Sequence, residues 1–225
     1  MADNQDTVRK QGIPFFLAVF AAWFATIALG GDKTFSPPPA THANTYPIFE
    51  AHDDEGVSIA IDLYDAPEKA ALFKVKYREI GFIPIRLIIS NDSAKALMLD
   101  SMKVQYITGG RIKLQPATQD DIFRRIARPE KVTSQPTVRL PIPGPRKRPT
   151  AVSPEAAAEV DAALFLPVPV TPHSTNSGFL FFDISDIKEP KTGAHIYISG
   201  IRAGTKELFY FDIPLEKFVE QAPAK

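Results

Sequence analysis

The densest polar run in the chain is His52-Asp53-Asp54-Glu55. Three carboxylates beside an imidazole offer the oxygen donors that a hard divalent cation takes. Four consecutive residues cannot all face one point, however, and the chain has no Asp-x-Asp-x-Asp run with a turn glycine. The run therefore reads as a solvated loop leading into a strand at Gly56. The four histidines are His42, His52, His173 and His195; none pairs at i,i+4, and no His-Glu-x-x-His motif occurs. His173 and Ser174 are neighbours, but adjacent side chains of an extended segment point apart, and no nucleophile elbow surrounds them. Asp120, Asp121, Asp183, Asp186 and Asp212 carry carboxylates of the kind a glycosidase pairs, yet any chain of this size offers such pairs. Gly109-Gly110 and Gly30-Gly31 lack the Walker and dinucleotide patterns. The chain has no cysteine, which excludes disulfides, thiolate metal sites, Cys nucleophiles and a lipid-modified N-terminal cysteine. No catalytic residue, metal or cofactor is expected. The chain reads as a binding or accessory module and not as an enzyme; an envelope hydrolase or a ligand-carrying domain is the alternative.

One charged region stands apart. From Arg124 to Arg148 the chain carries Arg124, Arg125, Arg128, Lys131, Arg139, Arg146, Lys147 and Arg148 against Glu130. Such a stretch can touch anionic headgroups, a polyanionic glycan or an acidic partner. Arg124, Arg125, Arg128, Arg146, Lys147 and Arg148 are the contact residues that this reading names. The competing reading is a solvated insertion whose charge keeps a Pro-rich loop soluble. The whole chain is formally neutral, with 26 basic and 26 acidic residues. Neutrality removes the global electrostatic case for nucleic acid, and the basic stretch has no interleaved aromatics.

The N-terminus sets an address for whatever the chain does. Ile13 to Leu29 contains no charge over 17 residues, the lower limit for crossing a hydrocarbon core of roughly 30 Å. Ile13, Phe15, Phe16, Leu17, Val19, Phe20, Trp23, Phe24, Ile27 and Leu29 would face lipid. Arg9 and Lys10 precede the span, while Asp32 and Lys33 cancel after it, so the N-terminus is expected in the cytoplasm and the domain outside. The expected location is a bacterial inner membrane, single-pass, with the domain in the periplasm. Ala28-Leu29-Gly30 also suits a signal peptidase, so release into the periplasm after cleavage near Gly30 is the alternative. Residues 31–48, with Ser36-Pro-Pro-Pro-Ala40, read as a stiff tether.

The domain is expected over residues 49–218, followed by a C-terminal tail over 219–225. Gly56 to Leu63 alternates and reads as a half-buried strand. Asp65 and Pro67 suggest a capped helix over Glu68–Phe73. Gly81 to Asn91 is the clearest strand, with Ile83, Ile85, Leu87 and Ile89 on one face; Pro84 would place it at an edge or a bulge. Leu97 to Ile107 changes phase at Asp100-Ser101, which suggests a β-bulge. Thr118 and Ser153 cap helices over 120–127 and 154–164, inside an insertion of about 116–170. Gly178 to Ile184 is apolar on both faces and reads as a central strand. His195–Ile201 and Glu207–Ile213 follow, joined by a hairpin-like turn at Arg202–Thr205. The expected core is Ile83, Ile85, Leu87, Ile89, Val104, Phe179, Phe181, Phe209 and Phe211. The pattern predicts a mainly β, antiparallel sandwich with a Pro-rich, partly helical insertion.

Three stretches carry a resemblance: HDDEGVSIAIDLYDAPEKA at His52–Ala70, GFIPIRLIISND at Gly81–Asp92 and TPHSTNSGFLFFDI at Thr171–Ile184. Together they resemble a group of uncharacterised bacterial envelope proteins with an N-terminal anchor or signal and an immunoglobulin-like sandwich. The likeness spans about residues 45 to 215. It implies the fold and the address, and it carries over no functional residue.

Overall fold

Val57–Leu63 and Phe82–Asn91 are rich in β-branched residues, which fit a pleated surface better than a helix. Both form strands, and they pair antiparallel from Val57 opposite Asn91 to Leu63 opposite Ile85. The computed structural model describes residues 35–128 and 151–216. The chain divides into a unit Met1–Lys33 and a unit Thr34–Lys225; all described residues belong to the second. The span expected over Ile13–Leu29, and Lys131 through Arg148 with Arg146, Lys147 and Arg148, lie outside the described residues. Among the described residues no helix is long and apolar enough to cross a membrane.

The strands are β1 (Phe49–His52), β2 (Val57–Leu63), β3 (Phe82–Asn91), β4 (Leu97–Met98), β5 (Lys103–Ile107) and β6 (Lys113–Leu114), then β7 (Ser174–Asp183), β8 (His195–Ser199), β9 (Arg202–Ala203), β10 (Lys206–Glu207) and β11 (Phe211–Pro214). The helices are α1 (Pro67–Ala70), α2 (Gln119–Ala127) and α3 (Pro154–Ala163). One four-stranded sheet has the order β1-β2-β3-β7, a second β11-β8-β5-β6, and β10-β9-β4 form a small third. Every strand pairing is antiparallel. The chain is mainly β, as expected. Ile59, Ile61, Ile85, Leu87 and Phe182 of the first sheet pack against Val104, Tyr106, Ile196, Ile198 and Phe211 of the second, which makes the sandwich core.

The first sheet is covered on its other face too. Phe82, Phe179 and Phe181 pack there against Ile122 of α2, Val160 and Ala163 of α3, and Phe73 and Tyr77. Farther along that face lie residues 35–46. Ala43 packs on Ala60 and Ile88, its N–H donates to Ser90 Oγ at 2.9 Å, and Arg86 Nη2 donates to Pro38 O at 2.6 Å. Two expectations change for this reason. β2 is buried at every residue, not on one face. The segment expected as a tether over 31–48 lies along the domain from Phe35 onward, because the polar side chains of β3 bind its backbone.

Other local readings also shift. Pro84 is in an interior strand without a bulge: Tyr64 N–H donates to Pro84 O at 3.0 Å, and the return bond that Pro84 cannot make falls just past the last pair of the β2–β3 ladder, Leu63 opposite Ile85. The phase change at Asp100-Ser101 is a turn that moves the chain between sheets, with Met102 N–H bonded to Leu99 O at 3.1 Å. α1 is one turn long and begins at Pro67; Asp65 does not cap it but pairs with Lys191 at 3.0 Å. β7 ends its sheet instead of lying inside it. Its outer edge accepts Phe165 N–H at Phe179 O (2.9 Å) and Ala117 N–H at Phe181 O (2.7 Å), so chain outside the ladder blunts that edge. The caps of α2 at Thr118 and α3 at Ser153 form as expected, the first as a reciprocal box with Asp121.

Candidate functional site

The Phe82 end of β3 carries the basic residues. α2 leaves Arg124, Arg125 and Arg128 around a cavity of about 480 Å³ whose wall also holds Phe82, Asp121 and Asp183. Arg124 pairs with Asp121 at 2.5 Å. The Thr118 hydroxyl, and then its backbone N–H, hold the Asp121 carboxyl below its ordinary range. Arg125 is turned inward: it pairs with Asp183, donates to Ser185 Oγ at 2.9 Å, and lies over the Phe82 ring at 5.5 Å. Gly81 is required beneath it. Its φ is +88°, and a Cβ there would come within 2.2 Å of Ser185 Oγ. Three of the six expected anion contacts are thus brought together, but with two carboxylates among them. Arg125 is a structural clamp that tops the aromatic layer, while Arg128 stays exposed.

The Asn91 end is built differently. β1 and β2 join through Asp53–Gly56, a turn that places Gly56 at φ +64°. Asp53 and Asp54 are exposed at its tip. Glu55 is not a solvated loop residue, as the sequence suggests: its side chain is only 3% exposed. It accepts from Lys206 Nζ at 3.0 Å and Phe209 N–H at 3.1 Å, with His52 Nδ1 at 3.4 Å. Glu50 accepts from Asp212 N–H at 2.8 Å, with His52 Nε2 at 3.2 Å. The His52 ring stacks on Phe211 at 4.0 Å. Burial pushes the Glu55 carboxyl up, but the bonds from Lys206, Phe209 and His52 outweigh it and hold the group below its ordinary value.

This clasp fixes residues 206–212 against the β1–β2 turn and presents two rings to solvent. Phe209 is 72% exposed and Tyr210 55%. Tyr210 stacks on Tyr197 at 5.2 Å. Both exposed rings line a recess of about 830 Å³ with Ala51, Asp53, Asp54 and Lys206. Placing Phe209 in the core is therefore wrong. The strand expected over Glu207–Ile213 is broken: β10 stops at Glu207, β11 starts at Phe211, and Leu208 and Phe211 turn inward with the other two rings outward. The run Leu208-Phe-Tyr-Phe211 reads equally well in either phase, so periodicity cannot choose. Pairing both Leu208 and Phe211 with the core needs a break, since residues three apart face opposite sides of a continuous strand.

The remaining expected residues are dispersed. His173 is exposed at φ +55°, and the Ser174 hydroxyl donates to Thr171 O at 2.8 Å, so the two do not act as a pair. His195 lies 3.7 Å from Asp212 across the β8–β11 ladder. Among the described residues no group of three or more His, Asp or Glu is placed to hold a metal ion. Sequence reasoning missed Glu159, which is buried on α3. Its carboxylate accepts the N–H groups of Lys74 (2.6 Å) and Val75 (3.1 Å) and pins that loop over the aromatic layer.

No protein-family model matches the chain, and no curated protein matches it. Among solved structures, an uncharacterized β-sandwich protein from Clostridium difficile 630 is similar over 70% of this chain and 85% of its own. The identity is 15% and the TM-score 0.27.

Proposed function

We propose that this protein is a non-catalytic binding or accessory module of the bacterial envelope, held at the inner membrane by Ile13–Leu29, that contacts a protein partner through the Phe209–Tyr210 face. The two packed sheets are read as an immunoglobulin-like sandwich that departs from the usual form in its helical insertion between β6 and β7. The observation that carries the reading is the exposure of Phe209 and Tyr210 on a segment clasped at Glu55 and Glu50. Large exposed apolar groups in a fixed geometry mark contact surfaces, and a rigid ring loses little conformational freedom when covered. The carboxylates near the face support binding over catalysis, since Glu50 and Glu55 already accept backbone N–H groups.

A photo-crosslinking side chain at position 209, in the full chain in native membranes, tests this. The expected result is a discrete adduct with one envelope protein, lost when Tyr210 is changed to Ser. A control at Ile112, which is also exposed but lies off the face, should give none. Equal labelling from both positions would remove the reading. N-terminal sequencing of the membrane-purified protein decides between the retained span and cleavage near Gly30.

A further inference from the structure

The molecule contains a worked example of what its open face would take. At the Phe82 end, a guanidinium lies over an aromatic ring and pairs with a carboxylate: Arg125, Phe82 and Asp183. At the Asn91 end the ring and the carboxylates recur without such a cover. Phe209 and Tyr210 line one recess with Asp53 and Asp54, and both acids are exposed and appear in no ion pair among the described residues. Lys206, the cation on this face, is bonded to Glu55. The recess therefore brings aromatic rings and uncompensated negative charge into one lining. A neutral ligand would gain from the rings alone, and an acidic one would be repelled. An arginine gains from both, because its planar guanidinium stacks on a ring while its edge donates to a carboxylate.

We propose that the Phe209–Tyr210 face docks an arginine-bearing basic segment of a partner protein, with Asp53 and Asp54 holding its charge. This rests on the binding-module reading and names the chemistry of the partner. The segment stays bound by stacking and by rim charges, so its affinity falls with salt while its register is set by the rings.

The test uses the full chain in mild detergent and a fluorescein-labelled peptide carrying four arginines among glycines and serines, with a glutamate version as the counterpart. The arginine peptide should bind and the glutamate peptide should not. Raising salt from low ionic strength to about 300 mM should weaken binding about tenfold. The double change Phe209→Ser with Tyr210→Ser should weaken it about tenfold, and Asp53→Asn with Asp54→Asn about fivefold. Equal binding of the two peptides, or no effect of the Asn changes, overturns the proposal. A salt-sensitive dimer of the chain that is lost on changing Arg146, Lys147 and Arg148 to Ser would assign the face to a second copy and also overturn it. A crosslinked partner at position 209 with no arginine-peptide binding would keep the module reading and reject the cationic occupant. Failure of both assays removes both.

Discussion

The two ends of the β1-β2-β3-β7 sheet use the same ingredients and finish in opposite states. At one end Arg125 closes over Phe82, which is 2% exposed, and its charge is met by Asp183. At the other end Glu50, His52 and Glu55 hold a segment in place, and the rings of Phe209 and Tyr210 are left open. The difference lies in which group is turned inward. Arg125 sits on a capped helix that packs on the sheet, so its side chain serves the core. Asp53 and Asp54 sit exposed at a turn tip, and their carboxylates form no ion pair among the described residues. A charge beside an aromatic ring is thus no sign of function by itself; what separates the ends is whether the fold already completes the set.

The largest effect should come from the closed end. Phe82→Ala, or Phe181→Ala beside it, removes a ring from a packed layer and leaves a cavity under α2 and α3. The expected loss is about 3–5 kcal/mol of unfolding free energy in denaturant melts. A loss under about 1 kcal/mol would mean that the closed end is not closed. Next in size is Arg125→Met, which keeps the stem over Phe82 but strips the donors from Asp183 and Ser185. Asp183 is half exposed and regains water, so the expected cost is about 1–2 kcal/mol. Trypsin or hydrogen exchange should place that loss at the Gly81 and Ser185 turns.

Much of the closed end was legible in the chain. Thr118 and Ser153 announce their helices because capping is a local event, and the Ile83–Ile89 alternation gives the core face because a strand has a period of two. What could not be read depends on distant partners. Arg86 and Ser90 look like a solvent face until residues 35–46 lie across them, and Asp62 until Lys69 of α1 pairs with it. The slip at Asp100-Ser101 is genuine, but a bulge and a sheet-changing turn both reverse the phase. Of the candidate site, the polar run His52–Glu55 is visible in the chain as a cluster and reads as a solvated loop, because the groups that bury Glu55 come from residues 206–209. The openness of Phe209 had no local signal at all.

The open end should respond to acid. Glu55 is held below its ordinary value of 4.5 in the folded chain. A carboxyl with a lowered folded value stabilises fully above its ordinary value, and that contribution is lost as pH falls through the folded value. Glu55→Gln should therefore cost about 1–2 kcal/mol near neutral pH through weaker bonds to Lys206 and Phe209, and the cost should shrink at low pH. Thermal melts of the two proteins between neutrality and pH 3 check this: the gap should close on the acid side. A gap that widens on acidification would place the lowered value elsewhere and undo the clasp.

The smallest effect is the one on which the comparison turns. Phe209→Ser removes a ring as large as that of Phe82, from a position where most of its surface already meets water. Little apolar area returns to solvent on unfolding, and the segment stays held by its backbone N–H to Glu55, which the substitution leaves in place. The change in unfolding free energy should be within about 0.5 kcal/mol, as for surface positions that make no special contact. The same substitution should nevertheless weaken the proposed binding of the arginine peptide at the face by up to about tenfold. Stability and binding then separate at Phe209, whereas at Phe82 the loss of the ring falls on the stability of the domain itself. If Phe209→Ser destabilised the chain as Phe82→Ala is expected to, the ring would be covered in solution and the two ends would be alike.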